Sequence, residues 1–185
     1  MFKELISFQS KDGTMVFIRL LRPEDRDELK IGFAKLSAAS RYNRFFSCLR
    51  CLPENLLKYL TKIDNINHLA LCAFVEEMNR PVGIGIARYC RIQDDYERAE
   101  FAVTILDAYQ NKGLGAKLLS LLMEYADKNG IRTLVGYVLP ANGSMLNLCR
   151  KMGAKVVWSE HSAFLVEITL PRCHLGNEPR SVSPS

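Results

Sequence analysis

Residues 98–139 constrain the fold more than any other part of the chain. The segment 98–106 is predicted to be a strand, and a loop with two glycines follows it. Five residues then recur at the spacing of an amphipathic helix: Leu114, Leu118, Leu121, Leu122 and Tyr125. Asn129-Gly130 is typical of a helix C-terminus, and a further strand is predicted over 133–139. This order predicts a βαβ crossover within a sheet that helices cover.

The rest of the chain is predicted to complete a mixed sheet. Further strands are predicted over 16–21, 68–76, 82–92, 155–160 and 163–170, and further helices over 24–35, 38–47, 53–62 and 142–152. The predicted fold class is α/β (α+β), with a mixed central sheet of about six to seven strands and helices on both faces. Residues 1–171 form one predicted domain. The Gly-, Pro- and Ser-containing segment 172–185 is predicted to be a disordered tail.

Composition narrows the possible functions. Of the 185 residues, 48% are hydrophobic and 24% are charged, which is ordinary for a globular domain. No apolar run reaches the ~20 residues that cross a bilayer, and the first residues lack the features of a signal peptide. We therefore expect a cytoplasmic protein with no membrane partner. The net charge of +5 is mild and no arginine block with interleaved aromatics is present, so we expect no nucleic-acid partner.

The six cysteines predict no metal site. Cys48 and Cys51 have the CxxC spacing of a zinc site, but no second CxxC pair and no paired histidines accompany them. The cysteines stand mostly among apolar neighbours. We interpret them as buried thiols in a reducing compartment.

The glycine loop is predicted to bind phosphate. A helix N-terminus offers unpaired N–H groups and a positive dipole end, and glycines let a phosphate approach the backbone. The dinucleotide fingerprint would require a third glycine where Leu118 stands. A P-loop would require Gly-Lys-Ser/Thr, which the run from Gly115 to Leu118 does not supply. The loop resembles Gln/Arg-x-x-Gly-x-Gly/Ala, the pyrophosphate loop of the GNAT N-acetyltransferases.

The resemblance to the GNAT superfamily extends beyond this loop. Residues 109–116 resemble the main motif of the superfamily. A second set of residues resembles its second motif: Asn142, Met145, Leu148, Lys151 and Gly153. The stretches 40–46, 85–89 and 97–103 are similar to the acetyltransferase domain of bacterial protein lysine acetyltransferases of the Pat type. Together the similar segments cover about residues 14–170.

The resemblance implies a GNAT fold and acetyl-CoA as the acetyl donor, without a metal. In the family, backbone N–H groups of the splayed strand bind the pantetheine and polarise the thioester carbonyl, and the second-motif asparagine contacts the cofactor. The implied cofactor-binding residues are Val103, Ile105, Gln110, Asn111, Lys112, Gly113, Leu114, Gly115, Ala116 and Asn142. The implied acceptor is a primary amine, possibly a protein lysine, and the protein is expected to be a monomer or a homodimer. A helix cap is an alternative role for Asn142.

Glu100 is the candidate general base. A lysine-type amine has a pKa near 10.4, so only about one molecule in two thousand is neutral at pH 7 and a base is valuable. On the predicted strand, Glu100 shares a face with Ala102 and Thr104, while larger residues occupy the other face. Glu100 precedes Ile105 by five residues, about 17 Å of extended strand, which suits a pantetheine arm. In the resembling family a glutamate at this strand position serves as the base.

The sequence departs from the family pattern at one position. Many superfamily members have a tyrosine seven residues after the asparagine, as the general acid for the leaving thiolate, but this chain has Cys149 there. A thiolate with a pKa near 8.5 is already a fair leaving group, so turnover does not require that acid. Two alternatives to lysine acetylation stay open: a small-molecule amine as the acceptor, and a non-catalytic acyl-CoA-binding regulatory module.

Overall fold

The computed structural model describes residues 5–160 and 162–171. The predicted tail 172–185 lies outside the described residues. The strands are β1 (Ile6–Gln9), β2 (Met15–Leu20), β3 (His68–Glu77), β4 (Arg80–Ile92), β5 (Asp95–Ile105), β6 (Thr133–Val138), β7 (Lys155–Trp158) and β8 (Phe164–Thr169). The helices are α1 (Arg26–Lys35), α2 (Ala38–Phe45), α3 (Glu54–Thr61), α4 (Leu114–Lys128) and α5 (Gly143–Lys151).

The strands form one mixed sheet in the order β1-β2-β3-β4-β5-β6-β8-β7. Neighbouring strands in the sheet are antiparallel, except β5 and β6, which run parallel and are connected through α4. The fold class, with its βαβ crossover, is confirmed. The described part of the chain contains eight strands, whereas six to seven were predicted.

The additional strand is β1. It pairs antiparallel with β2, from Ile6 opposite Ile18 to Gln9 opposite Met15. Gly13, with φ +86°, lies in the turn between the two strands. Four residues give too short an alternation to identify a strand from sequence, so the pairing with β2 decides it.

The main core lies between α4 and one face of the sheet. The five residues that predicted the helix, Leu114, Leu118, Leu121, Leu122 and Tyr125, are all buried. Phe101 and Tyr89 belong to the same core, which is the face of β5 predicted to be apolar. The opposite face, which carries Glu100, Ala102 and Thr104, therefore points toward α1 and α2.

Candidate acetyl-transfer site

A cleft opens where β5 and β6 separate. Their parallel pairing runs from Arg98 opposite Thr133 to Glu100 opposite Val135 and goes no further, although both strands continue. The cleft at this point has a volume of about 520 Å³. It is lined by β5 from Glu100 to Ile105, by β6, and by one side of α2.

The backbone of β5 presents N–H groups to this cleft. The Leu106 N–H donates to the Ile84 carbonyl of β4 at 2.9 Å. Backbone groups alternate in direction along a strand, so the N–H groups of Val103 and Ile105 point away from β4 and toward the cleft. The Ile105 carbonyl faces the same way, since it accepts from Gln110 Nε2 at 2.9 Å. The two predicted pantetheine donors are therefore placed along the cleft.

The glycine loop leads directly into α4. Asn111 and Gly113 have φ values of +60° and +91°, and Gly113 occupies the N-cap position with no side chain capping the helix. The intrahelical bonds begin with the Lys117 N–H, which donates to the Gly113 carbonyl at 3.1 Å. The preceding N–H groups of the first turn, on Leu114, Gly115 and Ala116, have no acceptor within the helix. This is the geometry in which a helix N-terminus binds an anion.

Five residues of the predicted loop also have structural roles. Gln110 Nε2 bonds to the Ile105 carbonyl, and also to Ser40 Oγ of α2 at 3.2 Å. Lys112 Nζ forms an ion pair with Asp12 Oδ2 at 2.7 Å. A Cβ added at Gly115 would lie 3.2 Å from Leu148 Cδ2 of α5, so this glycine allows close packing of α4 on α5. Asn111 and Gly113 supply the positive φ values that shape the loop.

Asn142 is the N-cap of α5. Its Oδ1 accepts a hydrogen bond from the Met145 N–H at 3.2 Å. The helix-cap alternative is thus the role that the structure shows, and a contact with the cofactor stays a prediction.

Glu100 lies at the far end of the cleft from the loop. Its side chain is exposed and forms no hydrogen bond or ion pair within the described residues. Cys90 of β4 lies opposite it in the sheet. The carboxylate therefore lines the cleft without a partner among the described residues, and its role as a base stays a prediction.

The sequence analysis did not identify a group of polar residues near Glu100 as site residues. These are Arg44, Tyr59, His68, Arg88 and Cys90. Arg88 is buried, donates to the Leu60 carbonyl at 3.1 Å and lies 3.2 Å from His68 Nε2. The Tyr59 hydroxyl lies 3.2 Å from Cys90 Sγ, and the Tyr59 ring stacks on His68. Arg88 is a charged residue within the apolar run of β4, and this feature of the sequence could have identified it as a candidate site residue.

Helix α2 is held over the cleft from its N-terminus. Asp107, just after β5, accepts from the Ser37 N–H at 3.0 Å and from the Ser37 and Ser40 hydroxyls at 2.7 and 2.8 Å. These bonds join α2 to the segment that precedes the glycine loop. They place Arg44, near the other end of the helix, beside the β5 residues that line the cleft.

Cys149 is fully buried in the main core. Burial raises the pKa of its thiol to about 11, which makes it a poor proton donor at neutral pH. Its position supports a packing role. Cys48 and Cys51 are exposed, so the interpretation of the cysteines as buried thiols is wrong for these two.

The described residues contain no cluster of three or more metal-binding side chains. Within residues 5–160 and 162–171, no helix has the length and apolar character needed to cross a bilayer.

Comparisons with known proteins identify the family. The acetyltransferase (GNAT) domain family matches residues 15–155. An acetyltransferase of Pseudomonas aeruginosa is 37% identical over 142 residues, which are 77% of this chain and 76% of the relative. The crystal structure of the GNAT domain of S. lividans PAT has a TM-score of 0.84 at 26% identity, and the match covers 90% of this chain and 97% of that one.

A more distant structure shares the fold. It is yncA from Salmonella typhimurium, solved with its cofactor acetyl-CoA, with a TM-score of 0.66 at 20% identity over 90% of this chain and 99% of that one. The chain belongs to the GNAT acetyltransferase family. It is an acetyltransferase domain with the GNAT fold.

Proposed function

We propose that this protein transfers the acetyl group of acetyl-CoA to a primary amine, a protein lysine ε-amine, with Glu100 as the general base. One observation carries the proposal: a cleft follows β5, whose N–H groups face it, from the unpaired Glu100 carboxylate to Gln110, where the glycine loop that leads into α4 begins. The protein is proposed to act in the cytoplasm as a monomer or homodimer, without a metal.

The donor would lie along β5. The pyrophosphate would accept hydrogen bonds from the first turn of α4, and the pantetheine would pair with the N–H groups of Val103 and Ile105. The Salmonella structure, solved with acetyl-CoA on the same fold, supports acetyl-CoA as the donor. The strand from Ile105 to Glu100 spans about 17 Å, which brings the thioester near the carboxylate.

The reaction would proceed by direct attack. The neutral amine adds its nitrogen lone pair to the thioester carbonyl carbon, and Glu100 accepts the proton that the nitrogen loses. The tetrahedral intermediate then re-forms its carbonyl and breaks the C–S bond, which releases CoA as a thiolate. A thiolate is a fair leaving group, so Cys149 is not needed as an acid.

The lysine acceptor is supported by similarity to the GNAT domain of S. lividans PAT and by the open position of Glu100. An exposed carboxylate is accessible to a side chain on another protein. A small-molecule amine would use the same chemistry. An acyl-CoA-binding regulatory module would bind the donor without releasing CoA.

The substitution Glu100→Gln tests the assignment of the base. The amide keeps the shape but lacks the basic oxygen, so kcat/KM at pH 7 should fall about 10²–10⁴-fold. The affinity for CoA should change less than about threefold, since the cofactor is anchored far from this side chain. The lost rate should largely return near pH 10, where neutral amine is plentiful. CoA release with a lysine peptide gives the rates, and calorimetry gives the affinity.

Glu97→Gln is the matched control, because it removes the same charge from an exposed residue of the same strand. It should leave kcat/KM near that of the wild type. Near-wild-type activity of Glu100→Gln at pH 7 would contradict the base assignment. CoA binding without CoA release from any amine would instead favour the regulatory module.

A further inference from the structure

Arg44 is a cation without a counter-ion at the acceptor end of the cleft. It is partly buried and lines the cleft together with Glu100 and Ala102. Within the described residues its guanidinium forms no hydrogen bond or ion pair, and it lies 4.9 Å from the centroid of the Phe45 ring. Arginine is well suited to pairing with carboxylates, so a partly buried arginine that lines the cleft beside the proposed base without pairing with it calls for a role.

The groups around Arg44 leave a net positive charge. On β5, Glu100 attracts Arg44 electrostatically without forming an ion pair with it. On β4, Arg88 adds a second cation, and the Cys90 thiol lies beside it. On β3 and α3, burial lowers the pKa of His68 and raises that of Tyr59, so both are neutral at pH 7.

The remaining charges lie on the α1 side of Arg44. Arg19 and Asp25 neutralise each other in an ion pair of 2.7 Å, and Glu28 is exposed. Arg44 and Glu100 therefore line the cleft where the acceptor amine must bind, and Arg88 is a second cation behind Arg44.

We propose, on the basis of the acetyl-transfer function above, that the Arg44 cation drives the bound acceptor amine into its neutral, nucleophilic form. A lysine-type amine arrives as an ammonium ion, and Glu100 attracts it. Before attack, the ammonium must release one proton to solvent, leaving a neutral amine beside an ionised Glu100. A nearby fixed positive charge destabilises the complex that still holds this proton relative to the complex that has lost it. This is so whether the proton is on the nitrogen or on the carboxylate.

The size of the effect follows from Coulomb's law. At an effective dielectric near 20, a unit charge within about 8 Å changes a protonation equilibrium by more than tenfold, before screening by salt and water. Removal of Arg44 should therefore raise the pH at which the enzyme–amine complex releases this proton by about one unit. It should also tighten the binding of the cationic amine at pH 7.

The test uses Arg44→Gln and Arg44→Lys in the full chain, with Lys58→Gln as the control. Lys58 is exposed on α3, so its loss changes the net charge equally without touching the cleft. The acceptor probe is Nα-acetyl-lysine amide, which has no carboxylate, at saturating acetyl-CoA. We expect the rising limb of kcat against pH to move up about one unit in Arg44→Gln, and KM at pH 7 to fall. Arg44→Lys and Lys58→Gln should keep the wild-type limb.

Two kinetic results would overturn the proposal. An equal loss of kcat at every pH would indicate a packing role or an effect on the leaving thiolate. A KM that rises in Arg44→Gln only for Nα-acetyl-lysine, which has a free carboxylate, would show that Arg44 anchors an anion of the acceptor.

A binding measurement separates this proposal from the proposed function. Calorimetry at pH 7 gives the affinity of the amine probe for each variant bound to CoA. If the wild type releases no CoA with any amine, the proposed function fails and the binding result alone decides the role of Arg44. The Arg44 proposal fails if Arg44→Gln binds the probe no more tightly than the wild type does.

Discussion

Replacing Gly115 with alanine distinguishes two reasons for a glycine at this position. If Gly115 is needed so that phosphate can approach the backbone, an added methyl group would obstruct CoA. In the structure, however, the added Cβ would lie 3.2 Å from Leu148 Cδ2 and 3.4 Å from Ile105 Cδ1. Both atoms belong to packed side chains beneath the helix. We therefore expect the methyl group to press on the core while the first-turn N–H groups stay available.

The expected change in stability is small because two effects oppose each other. The contact at 3.2 Å is tight, but it meets the end of a flexible side chain, which can move by a few tenths of an ångström. Alanine is favoured over glycine in a helix by up to about 1 kcal/mol. The free energy of unfolding of Gly115→Ala should stay within about 1 kcal/mol of the wild type, and the Kd for CoA within about threefold.

Gly113→Ala provides the contrast. Its added Cβ would meet nothing closer than 3.7 Å, but φ is +91°. A left-handed conformation costs an L-residue about 1–2 kcal/mol, so this variant should be less stable although it has more space. Denaturant midpoints measure stability, and calorimetry measures the affinity for CoA. A loss of CoA affinity of more than tenfold in Gly115→Ala, at an unchanged midpoint, would refute the packing explanation.

Two further predictions follow from buried groups. Cys149→Ala should keep turnover with acetyl-CoA within about tenfold of the wild type, because this thiol packs in the core; a larger loss at unchanged stability and CoA affinity would indicate a catalytic thiol. Burial, and then the charge of Arg88, lower the pKa of His68, so between pH 7 and 5 the unfolded chain takes up a proton that the folded chain does not. The free energy of unfolding should therefore decrease as the pH is lowered from 7 to 5, by at most about 1.4 kcal/mol per pH unit from this residue. In His68→Gln, the free energy of unfolding measured by urea titration should depend less steeply on pH; an equal dependence on pH would contradict this account.

Much of the fold was predictable because local periodicity decides it. The leucines of α4 recur at helical spacing, and all of them are buried in the core. The alternation along β5 separated Phe101, which is buried, from Glu100, which lines the cleft. Asn142 as the cap of α5 was also predictable, since the preference of asparagine for this position is a local property. By contrast, β1 could not be recognised from four residues, because its pairing with β2 is not local.

The arrangement around Glu100 depends on tertiary structure. Arg44, Tyr59 and Glu100 belong to three separate elements, and only the stacking of α2 and α3 on the sheet brings them together. The separation of β5 and β6 is likewise a property of two strands that are distant in sequence.

The residues along the chain were enough to predict the glycine loop, the helix behind it and the face of β5 that carries the proposed base. Each of these follows from the conformational preferences and side-chain spacing of one short segment. The tertiary structure alone decided that Gly115 packs against Leu148, and that an unpaired Arg44 stands beside Glu100. Packing density and electrostatic fields depend on distances between segments, and those distances exist only once the chain has folded.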